Sequence, residues 1–365
     1  QPVQPLEEWN NDPFEANIVD GPRGQRIVAR GAADDKGQLM TFVEAIRSWK
    51  AVHGKLPIRV VMLFEGEEEC GSPSLEPFLH EHKEELLADT CIVCDTGMWD
   101  VDTPAITGRL RGLVYIEATL RGPSHDLHSG SYGGALVNPA NALSKILGDL
   151  HDDQGKVQIA HFYDDVDEIS EEQSKRWDEL GDADALLLES SGAKATFGEE
   201  GFTTLERLWA RPTCDINGLF AGYTGAGAKT VIGATATAKI SCRLVASQNP
   251  QEVQNNLRAF LEERTPVGCS WEITSFGVNP AISVPTDSPW LTAASEALTD
   301  TFPKPAVLIG SGGSIPVVGE FQEILGVDAV LVGFSLDDDL IHAPNETFEL
   351  SFFHNGVRAH STIPD

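Results

Sequence analysis

Two apolar periodicities alternate along the chain. Over residues 37–54, the segment GQLMTFVEAIRSWKAVHG places Leu39, Phe42, Val43, Ile46 and Trp49 near helical spacing, with Gly54 past the last turn, which predicts a helix. Before it, QRIVAR reads as a short apolar strand ending at Gly31. After it, LPIRVVMLFEG is a continuous apolar run, the pattern of a strand buried on both faces. PSLEPFLHEHKEELLA then reads as a polar-faced helix and DTCIVCDTG as a third strand. The order β-α-β-α-β predicts an α/β fold with a mostly parallel sheet, flanking helices and right-handed crossovers.

From about Gly108 the pattern changes. RGLVYIEATLRG and GATATAKISCRLVA read as strands, NPANALSKILGDLHDD as a helix, and DDVDEISEEQSKRWDELGDADALLLES as a solvated helical surface. This middle part is expected to be an α+β unit with antiparallel pairing. After about Pro285 the first pattern returns, with the helix SPWLTAASEALTDTF, the glycine-rich GSGGSIP and the strand DAVLVGF. The expected organisation is an α/β domain over residues 1–107 and 288–365, interrupted by an inserted domain over residues 108–287. For 365 residues, two domains is an ordinary count.

Charge narrows the partners. A formal net charge of −30 repels phosphate backbones, so nucleic acid is not an expected partner, whereas cations are attracted. No apolar run approaches membrane-span length, and QPVQPLEEWN lacks the basic and apolar regions of a signal peptide. Cys70, Cys91, Cys94, Cys214, Cys242 and Cys269 are scattered. CIVC has no second CxxC partner and reads as two strand thiols, so a reducing, cytoplasmic setting is expected. AGYTGAGAKT fails as a phosphate loop because Ala228 separates Gly227 from Lys229.

The candidate chemistry lies at the strand ends, where open α/β sheets bind their ligands. Asp34 and Asp35 follow the first expected strand, Glu67, Glu68 and Glu69 the second, and Asp95 the third; SLDDDLIHAPNE, with His342, follows DAVLVGF. Singly, each has a plain explanation: Asp34 and Asp35 as helix caps, Glu67 to Glu69 as an acidic first turn, Asp95 as a turn residue and His342 as a loop histidine. Together they suggest carboxylates made tolerable by a divalent cation. An oxygen-rich site with histidine suits Zn²⁺, Mn²⁺ or Co²⁺.

RGAADDKG, EGEEECGS, CDTG, DLHSGSYGG, GAKTVIG, RLVASQNP, GGSIP and HAPNE occur in the order found in one family. Across nearly its whole length the chain resembles the co-catalytic di-zinc metallopeptidases, which include carnosinase-type dipeptidases, aminoacylase, succinyl-diaminopimelate desuccinylase and carboxypeptidase G. The resemblance implies a zinc-peptidase-like catalytic domain carrying a lid that also forms a homodimer. It implies two divalent ions, zinc foremost, with Asp34 bridging them, Glu69 and Asp95 as terminal ligands and His342 as a second histidine ligand. It implies a cis peptide after Asp34. Glu68 resembles the general base, and His128 resembles a histidine that reaches the partner subunit's substrate and stabilises the oxyanion. Arg243 resembles the group that grips the substrate carboxylate, with Asn217 and Ser314 at pocket positions. Lid closure is expected to exclude water.

Two departures shape the expectation. Relatives carry a His-x-Asp element just before a segment like VQPV, and this chain begins at Gln1 inside that segment. The expectation is of a shortened chain that holds one ion well, the ion served by Asp95 being weakened. Before GGS, dipeptidases often carry an acidic residue that pairs with a free amine; here it is Ser311, which leaves room for N-acyl amino acids beside dipeptides. The expected function is metal-dependent amide hydrolysis of one of these small substrates. The alternative is a non-catalytic member that keeps the dimerisation scaffold; a nucleotide-dependent enzyme lacks its phosphate loop.

Overall fold

The structure, a computed structural model, describes residues 1–285 and 287–362. The chain forms two compact units. One comprises Gln1–Arg109, Ser283–Gly310 and the chain from Ile315 onward; the other comprises Leu110–Ile282 with Ser311–Ser314.

In the first unit, the strand Ala329–Val332 runs parallel to Cys91–Cys94 on one side and antiparallel to Ala105–Leu110 on the other. The sheet is therefore mixed. Its apolar faces pack with the helix Pro289–Thr301 through Ala294, Ala297 and Leu298, and with Phe302, Phe334 and Phe352. The helix Lys36–His53 ends at Gly54 in left-handed backbone and packs against the C-terminal helix Leu350–Thr362. The expected second helix is two short ones, Leu75–Glu81 and Lys83–Leu86, broken at His82.

Two expected strands behave differently. Gly24–Val28 forms, but in a separate antiparallel sheet between Asn17–Gly21 and Thr347–Glu349. The run LPIRVVMLF forms no strand, and Ile58, Val60, Val61, Met62 and Phe64 are exposed, Phe64 by 56%. Leu63 is half-buried and packs against the cluster of Leu75, Leu79, Phe321 and Ile324. A strand exists through its ladder partners, and Cys91–Cys94 is the end strand of its sheet among the described residues. Local apolarity gives β-propensity but no partner.

The second unit is built on a four-stranded antiparallel sheet in the order Ser270–Asn279, Gly112–Arg121, Thr235–Leu244, Thr213–Ala221. Along Gly112–Arg121 every second residue (Val114, Ile116, Ala118, Leu120) is buried, and Thr235–Leu244 buries Ala236, Ala238, Ile240, Cys242 and Leu244 in step with it. Helices Pro139–Gly148 and Pro250–Glu263 cover that face through Leu143, Ile146, Leu147, Val253, Leu257 and Phe260. Asn138 and Asn249 accept backbone N–H groups at the two helix starts, each with proline at the first turn. The acidic stretch forms the helices Glu171–Asp178 and Ala183–Ser191, mostly exposed, with Trp177 buried.

Candidate metal centre

After the strand Gly24–Val28 the chain turns sharply and enters the helix Lys36–His53. Gly37, in the first turn of that helix, is required by close approach: a Cβ there would lie 2.0 Å from Ala32 O and 2.7 Å from the Phe348 ring. The Asp34–Asp35 peptide is cis. Asp35 occupies the N-cap position, yet its side chain makes no capping hydrogen bond and its Oδ1 is buried without a partner. Capping therefore does not account for Asp35.

The glutamates lie on the loop that follows the exposed run. Glu68–Cys70 is a single 3₁₀ turn. Glu67 accepts Ser74 N–H at the start of Leu75–Glu81, at 3.1 Å, and Glu65 accepts the Ser72 hydroxyl at 2.7 Å. Those two carboxylates brace the loop and leave Glu68 and Glu69 for other work. The Gln1 side-chain amide donates to Glu69.

His342 comes from the loop after Ala329–Val332, where Leu340, His342 and Asn345 all hold positive φ, an uncommon backbone state for residues with a Cβ. Asn345 ties the loop down by donating to Glu8 O at 2.7 Å and accepting Asn10 N–H at 2.8 Å. Buried Asp339 accepts Leu336 N–H at 2.7 Å and the Thr347 hydroxyl at 3.2 Å.

These loops bring three side chains together. His342 Nε2 lies 2.8 Å from Asp34 Oδ2 and 3.3 Å from Glu69 Oε1, and one ligand atom from each residue falls within 4.8 Å of the others. Two carboxylates and an imidazole at this separation fit a divalent cation of the zinc or manganese type. Asp95 is not part of that converging trio, though it lies near enough to feel it electrostatically. It follows Cys91–Cys94, and the neighbouring Gly333 allows that strand end its position, since a Cβ on Gly333 would lie 1.7 Å from Thr96 O.

The electrostatics of the cluster are those of crowded acids. Burial pushes Asp35 up to about 9, with Asp95, Asp34 and Glu68 adding to the shift. Burial likewise pushes Asp95 up to about 7, helped by Asp34, Glu68 and Glu69. Glu68 is raised by burial and then by Glu69, Asp34 and Glu65, with His342 opposing. Asp34 is raised chiefly by burial and by Glu69, again opposed by His342. A cation at this place offsets that repulsion.

The other expected site residues belong to the second unit. Arg243 donates to the Ser314 hydroxyl at 3.0 Å, and Ser314 in turn donates to Arg111 O. Arg111 was not singled out in the sequence. It is buried, donates to Arg207 O, and is pushed down to about 10 by burial and by neighbouring Arg243, with Asp215 opposing. Asn217 is exposed beside the register shift between Ile216 and Gly218. His128 is exposed and caps Ser129–Tyr132, its Nδ1 accepting Gly130 N–H at 3.1 Å.

Comparison with known proteins closes the identification. The profile of Peptidase family M20/M25/M40 matches residues 1–364. The chain belongs to this family. Among its relatives, the Cys-Gly metallodipeptidase dug1 of Schizosaccharomyces pombe is 31% identical over 372 residues, covering 99% of this chain and 76% of that protein. The human Beta-Ala-His dipeptidase is 30% identical over 353 residues, covering 95% and 68%. An M20-family metallo-carboxypeptidase from Sulfolobus solfataricus superposes with a TM-score of 0.88 at 33% identity, covering 100% of this chain and 82% of that one. As a member of M20 the chain is a metallopeptidase, a hydrolase, and its relatives give no support to the non-catalytic alternative. Among the described residues no helix is long and apolar enough to cross a membrane.

Proposed function

We propose that this M20 peptidase hydrolyses dipeptides with a free carboxylate, using a divalent cation held by Asp34, Glu69 and His342. The observation that carries the reading is the convergence of those three ligand atoms in a chain matched almost end to end by a peptidase family. The related enzymes named for Cys-Gly and Beta-Ala-His favour dipeptides over N-acyl amino acids. Ser311, directly before GGS, offers no carboxylate to pair with a free amine, which keeps N-acyl amino acids as the second substrate class to test.

When bound, the cation supplies Lewis-acid polarisation of the scissile carbonyl and lowers the pKa of water. Asp95 is the candidate ligand for a second ion, with zinc the first metal to try and manganese and cobalt next. Glu68, adjacent to Glu69 and unused by the loop's own bracing, is the general base that takes the proton from the attacking water and passes it to the leaving amine. His128 is the candidate oxyanion partner, supplied across a dimer. Arg243, backed by Ser314, is the donor for the substrate carboxylate, and Asn217, further along the neighbouring strand, is a second candidate pocket residue. The homodimer reading is supported by Thr213–Ala221, an end strand of its sheet that exposes Ile216, Leu219 and Phe220. The cytoplasmic reading is supported by six cysteines that are all free.

The test is a hydrolysis screen of the zinc-, manganese- and cobalt-loaded protein on dipeptides and on their N-acetylated forms. Cleavage of free-amine dipeptides is expected. Cleavage of the acetylated forms alone overturns the dipeptide reading, and no metal-dependent cleavage of either overturns the proposal.

A further inference from the structure

We infer that Glu346, with Arg30, is a positioning residue that fixes the Asp34 carboxylate and the His342 imidazole in mutual register for the metal; this rests on the metal-site reading above. Glu346 is fully buried and lies on the same loop as His342, four residues further on. Its two carboxylate oxygens accept four hydrogen bonds. Oε1 accepts Ala33 N–H at 2.8 Å and Asp34 N–H at 2.9 Å. Oε2 accepts Gly31 N–H at 2.9 Å and Arg30 Nη1 at 2.7 Å. The Glu346 carbonyl also accepts Ala29 N–H at 3.2 Å. One side chain on the histidine loop thus cradles the whole turn that presents Asp34, joining ligands 308 positions apart in sequence.

Arg30 completes the cradle. Its guanidinium lies 5.2 Å from the Trp9 ring centroid and donates to Pro2 O at 3.2 Å, so the ion pair is itself anchored to the N-terminal segment. A buried ion pair brings little net stability compared with apolar packing of the same volume, because desolvating two charges offsets their attraction. A carboxylate that spends its acceptors on three successive-turn amides is better explained by what those amides carry. Glu346 touches neither ligand side chain in this arrangement; it sets the backbone from which Asp34 projects. Partners that orient metal ligands in this way typically change metal affinity roughly 10–100-fold when removed.

The experiment compares the wild-type chain with Glu346→Gln, Glu346→Asp and Arg30→Lys. Zinc affinity is measured by competition with a chromophoric chelator, the visible absorption of the cobalt-loaded protein is recorded, and the thermal midpoint of each metal-free protein is taken separately. Glu346→Gln turns an acceptor towards a row of donors into an amide, and a loss of at least tenfold in zinc affinity with an altered cobalt spectrum is expected. Glu346→Asp, which keeps the charge but draws it back, is expected to lose less. Arg30→Lys leaves the backbone bonds in place and is expected to lose least. If the glutamine variant does not fold, the aspartate variant carries the test. Variants that melt earlier yet bind zinc with unchanged affinity and spectrum overturn this inference alone. A wild-type chain that takes up neither metal overturns the metal-site reading, and this inference with it.

Discussion

His360 offers a prediction whose size follows from the structure. It lies in the helix Leu350–Thr362, buried, with its ring stacked on Phe42 at 3.9 Å and edge-on to Phe334 at 5.4 Å. Neither ring nitrogen has a hydrogen-bond partner. Burial alone pushes its pKa from 6.5 down to about 3. The folded chain therefore keeps this imidazole neutral where the unfolded chain already takes up a proton. Its contribution to stability is complete above pH 6.5 and is lost as pH falls from 6.5 towards 3. Each pH unit in that window weakens folding by about 1.4 kcal/mol, so at pH 5 the loss relative to pH 8 is about 2 kcal/mol. His360→Phe removes the titrating group while keeping an aromatic ring against Phe42. Its packing cost at pH 8 reflects ring size and is the same at pH 5, so it cancels in the comparison. Urea unfolding of both proteins at the two pH values is the assay. The variant's stability relative to wild type should rise by about 2 kcal/mol on going from pH 8 to pH 5. An identical difference at both pH values refutes the reasoning.

Glu68→Gln is expected to lower kcat by about 10²–10⁴-fold, with zinc still bound as measured by competition titration. Arg243→Lys, which loses the guanidinium fork facing Ser314, should raise KM for dipeptides with a free carboxylate and leave carboxamide-capped analogues unaffected, as read from steady-state kinetics. Leu257→Ala, at a fully buried position under the second unit's sheet, should cost about 2–5 kcal/mol in chemical denaturation.

What the sequence discloses depends on whether the determining interaction is local. The helix Lys36–His53 is legible because its apolar spacing and the left-handed Gly54 that ends it lie within one stretch of chain. Gly112–Arg121 and Thr235–Leu244 are legible because alternation matches the face they bury. The run Val60–Phe64 misleads because apolarity alone does not say whether a neighbouring strand is present to pair with it. The acids at Asp34 and Glu69 and the imidazole of His342 stand out through motif and residue type. Glu346 and Arg30 do not, although both lie inside or beside quoted motifs. Their role is created by hydrogen bonds to backbone amides 312 to 315 residues away, which no spacing rule encodes. Arg111 is hidden for the same reason, since it is brought beside Arg243 by strand pairing in the second unit.

The most direct test of the metal centre is a zinc titration of the wild-type chain beside Asp34→Asn and His342→Ala, with metal content determined after gel filtration. The account predicts stoichiometric retention by the wild type and loss of retained zinc in both variants, while the metal-free folds unfold at closely similar urea concentrations. Equal zinc retention in all three proteins contradicts it.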